Sequence, residues 1–189
     1  MGKPINANLL GTKGTAISKP YNGNGRISLG ENYSGMMQEL TIWNNARTMA
    51  DLSDRTICKT GRETGLIANW PMDECKGILA ADKARSRNLL LPADSYWYIS
   101  DKNLAAQFNG TSDKLQVSIM NTPITSKDDY TLELQFHTDA QNGTIISCGD
   151  GVLDEDTEGA LSLAMVDGKL NLKTNGETYA LSNKAVNDN

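Results

Sequence analysis

The sequence predicts an all-β protein built as an antiparallel β-sandwich, and three observations carry that expectation. The first is period-two alternation of apolar residues in many short runs. Leu115, Val117 and Ile119 share one face of "KLQVSIM", and Tyr130, Leu132, Leu134 and Phe136 share one face of "YTLELQFHT". The second is the Asp167-Gly168 pair in "MVDGKLNLKTNG", set between two strand-like runs. Asp-Gly supplies the two positive-φ residues of a type I′ hairpin turn. The third is the scarcity of helical periodicity. Only "NNARTMADLSDRTI" carries it, through Ala46, Met49, Ala50 and Leu52, with the preceding asparagines as the cap.

Taken in order, the turn-rich "TKGTAISKPYNGNG" predicts a long loop, and "GRISLG" a strand of a few residues between glycines. In "MMQELTIWN", alternation places Met37, Glu39, Thr41 and Trp43 on one face and Met36, Gln38, Leu40 and Ile42 on the other. "GLIANWPMDECKG" reads as a strand with Leu66, Ala68 and Trp70 toward one side. Pro71 closes it and Asp73 and Glu74 begin a turn. Trp43 and Trp70 are expected in the core. The irregular "ADKARSRNLLLPADSYWYISDKN" brings Tyr96, Trp97 and Tyr98 together, and an extended chain cannot bury all three, so at least one belongs at a surface. Asn109-Gly110 makes a tight turn with Asp113 capping its amides. His137 alternates toward solvent, and Cys148 in "TIISCGDG" is a buried free thiol. Strand-like runs continue through "GTIISCG", "ALSLAMVDG", "KLNLKT" and "ETYALS".

Composition narrows the function classes. The 189 residues allow one large domain or two small ones, and 39% hydrophobic content suffices for a core. A net charge of -5, with no basic patch denser than Lys83, Arg85 and Arg87, argues against nucleic acid as a partner. No run approaches the length of a membrane span, and "MGKPINANLLGTKG" has no signal-peptide pattern. Three cysteines leave at least one thiol unpaired in a monomer, and Cys58 and Cys75 can bridge in an oxidising compartment. A single histidine excludes two-His and three-His metal sites within one chain. Neither a Ser-His-Asp constellation nor a nucleotide-binding glycine loop can be assembled.

Three segments together resemble the laminin-G-like, concanavalin-A-like jelly-roll family. "SGMMQELTIWNNARTMADL" is similar to a late strand and short helix of that family, through Gly35, Met37, Glu39, Leu40, Ile42, Trp43, Asn44, Ala46 and Thr48. "GLIANWPMDECKG" resembles the family's opening strand. "LAAQFNGTSDKLQV" followed by "DDYTLELQFHTDAQNGTIISCGDG" resembles the next two or three. The late motif precedes the opening one. The resemblance therefore implies that residues 1–60 are the late strands and short helix of one such domain, and residues 65–189 the early strands of another. The two segments either complete one sandwich, within the chain as in a circular permutant or by strand exchange in a homo-oligomer, or they belong to neighbouring domains of a tandem array.

The resemblance implies a non-catalytic binding or adhesion module, secreted or at the cell surface, with a glycan or protein ligand. Trp97 and Tyr98 are the aromatic candidates for the binding surface. Asp154, Asp156 and Glu158 in "GDGVLDEDTEGA" are hard oxygen ligands suited to calcium, in a loop like those that bind it in related domains. The same residues in a strand would share one face, as an acid and nucleophile do in jelly-roll glycoside hydrolases. The flanking glycines favour a solvated loop instead. A spacer without a ligand of its own, in a large tandem-domain protein, is the other class.

Overall fold

The computed structural model describes residues 26–53, 59–91, 96–99, 104–117, 131–149, 161–174, 177–182 and 184–187. It is all-β, with two antiparallel sheets in a sandwich-like arrangement and, among the described residues, one short helix. In chain order the strands are β1 (Arg26–Leu29), β2 (Ser34–Trp43), β3 (Leu66–Trp70), β4 (Leu79–Ala80), β5 (Leu89–Leu90), β6 (Tyr96–Ile99), β7 (Leu104–Asn109), β8 (Leu115–Val117), β9 (Thr131–His137), β10 (Gly143–Gly149), β11 (Leu161–Val166), β12 (Lys169–Thr174) and β13 (Glu177–Ala180). Helix α1 (Met49–Ser53) follows β2. The eight-stranded sheet runs β13-β12-β11-β10-β1-β8-β5-β4. The five-stranded sheet runs β3-β2-β7-β6, with β9 also on β2.

Strands from the first third of the chain lie inside both sheets. β1 sits between β10 and β8, pairing Ile27 with Cys148 and Leu29 with both Ile146 and Leu115. One edge of β2 pairs with β9 along most of its length. The other edge is shared end to end, by β7 at Ser34–Met37 and by β3 at Leu40–Trp43. Among the described residues the five-stranded sheet is therefore four strands wide, facing a sheet of eight.

The core lies between the sheets. Ile27, Leu29, Ile146, Cys148 and Leu115 come from one side and Met37, Leu40, Ile42, Ala68, Trp70, Ala106 and Phe108 from the other. Tyr33, fully buried, meets Phe108 edge-on with centroids 5.9 Å apart, and its hydroxyl donates to the Met36 and His137 carbonyls. Gly30 makes that contact feasible. It sits at φ 82°, and a Cβ there would lie 2.1 Å from the Phe108 ring. Burial pushes the Cys148 thiol up to about 12, because the apolar interior disfavours the thiolate.

Two sequence expectations on β2 and α1 are corrected. Between Gln38 and Thr41 the β2 register gains one residue against β9, a bulge in which Glu39 takes φ 55°. The alternation shifts there, so Met37 shares the core face with Leu40 and Ile42, while Thr41 and Trp43 turn to the outer face. Trp43 is buried, as expected, but on the face away from the main core cluster and beneath Arg47. The helix cap is Thr48 rather than an asparagine. Its hydroxyl accepts from the Asp51 amide, and the Asp51 carboxylate accepts from the Thr48 amide, a reciprocal box. Those Thr48 bonds hold the Asp51 carboxyl below its ordinary value.

Other expectations match. Val166 pairs with Lys169 across a two-residue turn in which Asp167 and Gly168 have φ 50° and 73°, the type I′ geometry. Asn109 Oδ1 accepts from the amides of Thr111, Ser112 and Asp113, while Asp113 Oδ2 accepts from the Asn109 amide at 2.9 Å. Leu132, Leu134 and Phe136 pack on the core, and His137 is exposed. The positions Tyr130 and Ile119 lie outside the described residues, as does Cys58. Cys75 is a free, half-exposed thiol.

Candidate functional site

The outward face of the five-stranded sheet gathers the polar chemistry among the described residues. The bulge in β2 is its origin. It occurs where the neighbour of β2 changes from β7 to β3, and the Glu39 amide donates to the Pro71 carbonyl at 3.2 Å instead of to a ladder partner. The extra residue projects the Glu39 carboxylate beside the outward row of β9, Glu133 and Gln135. Lys59 reaches over this row and binds both carboxylates, at 2.5 Å to Glu39 and 3.7 Å to Glu133. Gln135 Nε2 donates to the second Glu39 oxygen at 3.1 Å. Trp43 Nε1 donates to Glu133 Oε1, and the Arg47 guanidinium lies 4.3 Å from the centroid of the Trp43 ring.

The two carboxylates share one ammonium, which places them at most about 6 Å apart. Retaining glycosidases hold their carboxyl pair about 5–5.5 Å apart. Here, however, the space that a glycosidic oxygen would need is filled by Lys59. The arrangement ties Lys59 to the sheet and joins charge on β2 and β9.

A second polar network lies on β3. Thr41 Oγ1 accepts from Asn69 Nδ2 at 3.0 Å, and the Asn69 amide donates to buried Asp82 at 3.0 Å. Asp82 also accepts from the amides of Ala84, Arg85 and Arg87. It thereby fixes the loop that carries the chain from β4 to β5.

The sequence-predicted aromatic pair divides between the two faces of β6. Trp97 is half-buried against the core, and its Nε1 donates to the Gly77 carbonyl at 2.9 Å. That bond closes the β6 edge of one sheet onto the β4 end of the other. Tyr98, one residue along, falls on the outward face at 36% exposure, opposite Ala105 and on the side that carries Gln107. Across β2, Gln38 pairs with Gln135 and Met36 with both Gln107 and His137, so the Tyr98 side of the sheet is rich in planar amides.

Asp154, Asp156 and Glu158 lie outside the described residues. Among the described residues there is no group of three or more metal-ligating side chains. Sequence reasoning did not find the Lys59–Glu39–Glu133 junction. Its members are separated by 20 residues and more, and a bulge without a glycine left no mark on the pattern. Likewise no described helix is long and apolar enough to cross a membrane. Comparison of the chain with family models, with curated proteins and with solved structures gives no match.

Proposed function

We propose that this chain is a laminin-G-like, concanavalin-A-like jelly roll that acts as a non-catalytic glycan-binding module of a secreted or cell-surface protein. In this reading residues 1–60 contribute late strands and residues 65–189 early strands to one sandwich. The positions of β1 and β2 inside the two sheets support it. The observation that carries the ligand is the outward face of the five-stranded sheet. Tyr98 offers an exposed ring for stacking against a sugar. Gln107, Gln38 and Gln135 are amides that both donate and accept, as sugar hydroxyls require. Hydrolysis is the weaker reading, because Lys59 fills the gap between Glu39 and Glu133.

Saturation-transfer NMR against a panel of neutral oligosaccharides tests the reading. The expected result is transfer to at least one glycan, lost in Tyr98→Ala and weakened in Gln107→Ala. Absence of transfer across the panel, or transfer untouched by both substitutions, overturns it. Calcium belongs to the same proposal through Asp154, Asp156 and Glu158. Calorimetric titration is expected to show binding that Asp156→Asn weakens, and the absence of heat at millimolar calcium removes the metal from the account.

A further inference from the structure

Three stretches of the chain have the form Asn-x-Ser/Thr: Asn32-Tyr33-Ser34, Asn109-Gly110-Thr111 and Asn142-Gly143-Thr144. They are far apart in sequence, and the fold brings them to one end of the sandwich. Asn32 lies in the turn from β1 to β2, Asn142 just before β10, and Asn109 at the end of β7. The Thr144 amide donates to the Glu31 carbonyl at 2.9 Å, and a Cβ on Gly143 would lie 2.7 Å from the Asn32 carbonyl oxygen. Ser34 pairs with Asn109 across β2 and β7. All three asparagines are exposed.

Turn chemistry accounts in full for one of the three. Asn109 Oδ1 accepts from the Thr111, Ser112 and Asp113 amides and from the Thr111 hydroxyl at 3.1 Å, and its Nδ2 donates to Ser112 Oγ at 2.9 Å. Asn32 and Asn142 differ. Asn32 takes φ 54°, which a short amide side chain tolerates, and Asn142 Oδ1 accepts from the Asp167 amide at 3.1 Å. Those roles explain the asparagines but not the hydroxyl two residues later. Among the described residues, Nδ2 of Asn32 and Asn142 and the hydroxyls of Ser34 and Thr144 make no hydrogen bond. Both connections also cross from one sheet to the other, so a group on either Nδ2 extends from the end of the sandwich and leaves the sheet faces clear.

We propose that Asn32 and Asn142 are acceptor sites for N-linked glycosylation. Asn-x-Ser/Thr in an exposed turn is the acceptor signal of an exported chain, so the proposal rests on the secreted or cell-surface reading. The co-reactant is an oligosaccharide joined to a lipid diphosphate. Asn Nδ2 forms a bond to the anomeric carbon and gives one proton to a base of the transferase. The bond from that carbon to the diphosphate oxygen breaks, and the lipid diphosphate leaves with the electron pair. Only Nδ2 changes, so the bond from the Asp167 amide to Asn142 Oδ1 is kept.

The test uses the full chain, given an export signal and secreted from animal cells. Enzymatic release of N-linked sugars in heavy-oxygen water turns each occupied Asn into a mass-labelled Asp, read in peptides. Label is expected at Asn32 and Asn142. Ser34→Ala is expected to abolish it at Asn32 alone and Thr144→Val at Asn142 alone, because each removes only the hydroxyl. Occupancy is read in cell lysate as well as medium, so a variant retained through misfolding still decides. Absence of label at both positions, label confined to Asn109, or label equally strong without the releasing enzyme, which is deamidation, overturns the proposal. Label at one position alone removes the other from the account. The same peptides from the protein's own cells separate the proposal from the reading beneath it. No label from either source overturns the acceptor assignment, whereas label from animal cells alone overturns the secreted reading and the natural modification with it.

Discussion

Asp82 is the sharpest place to perturb the fold. Its carboxylate is buried and accepts four backbone amides: Asn69 at 3.0 Å, Ala84 at 2.9 Å, Arg85 at 3.2 Å and Arg87 at 3.3 Å. These bonds tie β3 to the loop between β4 and β5. Asp82→Ala leaves all four donors without the carboxylate. The Arg85 amide, on an exposed residue, can turn to water, whereas Asn69 is buried and cannot. A buried donor left unsatisfied costs about 1–3 kcal/mol, and a hydrogen bond to a charged group contributes about 1.5–3 kcal/mol. Counting Asn69 in full and the loop amides in part, the expected loss is about 3–5 kcal/mol. For a chain of this length that corresponds to a fall in Tm of roughly 6–20 °C. Asp82→Asn keeps one acceptor oxygen but turns an NH2 group toward two donors, and is expected to fall between the two. Urea and thermal denaturation of the three proteins measure this. A loss under about 1 kcal/mol for Asp82→Ala, or Asn equal to Ala, refutes the role assigned to the carboxylate.

Three further outcomes are expected. The Cys148 thiol, held near 12 by burial, stays protonated in the fold while an unfolded chain ionises it from about pH 9. Its stabilising contribution is therefore intact below pH 9 and is lost as pH rises toward 12, by about 1.4 kcal/mol per pH unit at most. A thiol reagent at pH 8 should accordingly modify Cys75 and leave Cys148 until the protein unfolds. Lys59→Met removes the ammonium shared by Glu39 and Glu133, which are only partly buried. The expected cost is about 1 kcal/mol, shrinking in added salt, and a salt-independent cost contradicts the ionic account. Gly168→Val forces a β-branched residue to φ 73°, with its Cβ 2.8 Å from the Asn187 side chain. Denaturation should show a loss of at least about 1 kcal/mol, and a neutral result contradicts the type I′ assignment.

The sequence disclosed what depends on neighbours a few residues apart. The Asp167-Gly168 turn was legible because two adjacent positive-φ residues have few other uses. The inward set on β9 was legible because Leu132, Leu134 and Phe136 keep period two without interruption. The burial of Trp43 was legible, but the face it occupies was not, for the opposite reason. One extra residue at Glu39 moves every later side chain of β2 to the other face, and Glu carries no signature of left-handed backbone. A Thr48 cap hid behind two asparagines that are better cap residues by propensity alone. The candidate site was the least legible part. Tyr98 rather than Trp97 faces outward because of a hydrogen bond to Gly77, 20 residues away, and Lys59 meets Glu133 only once β9 has paired with β2. Residue spacing along the chain says nothing about either.

Native-state hydrogen exchange most directly tests the central claim, that residues 26–43 and the strands after residue 65 form one sandwich within a single chain. The core amides of β1 and β2 are expected to exchange through the same global opening as those of β10 and β11. Their free energies should be equal, share one denaturant dependence, and be independent of protein concentration. Exchange of β1 and β2 at a free energy several kcal/mol lower, or protection that grows with protein concentration, contradicts it.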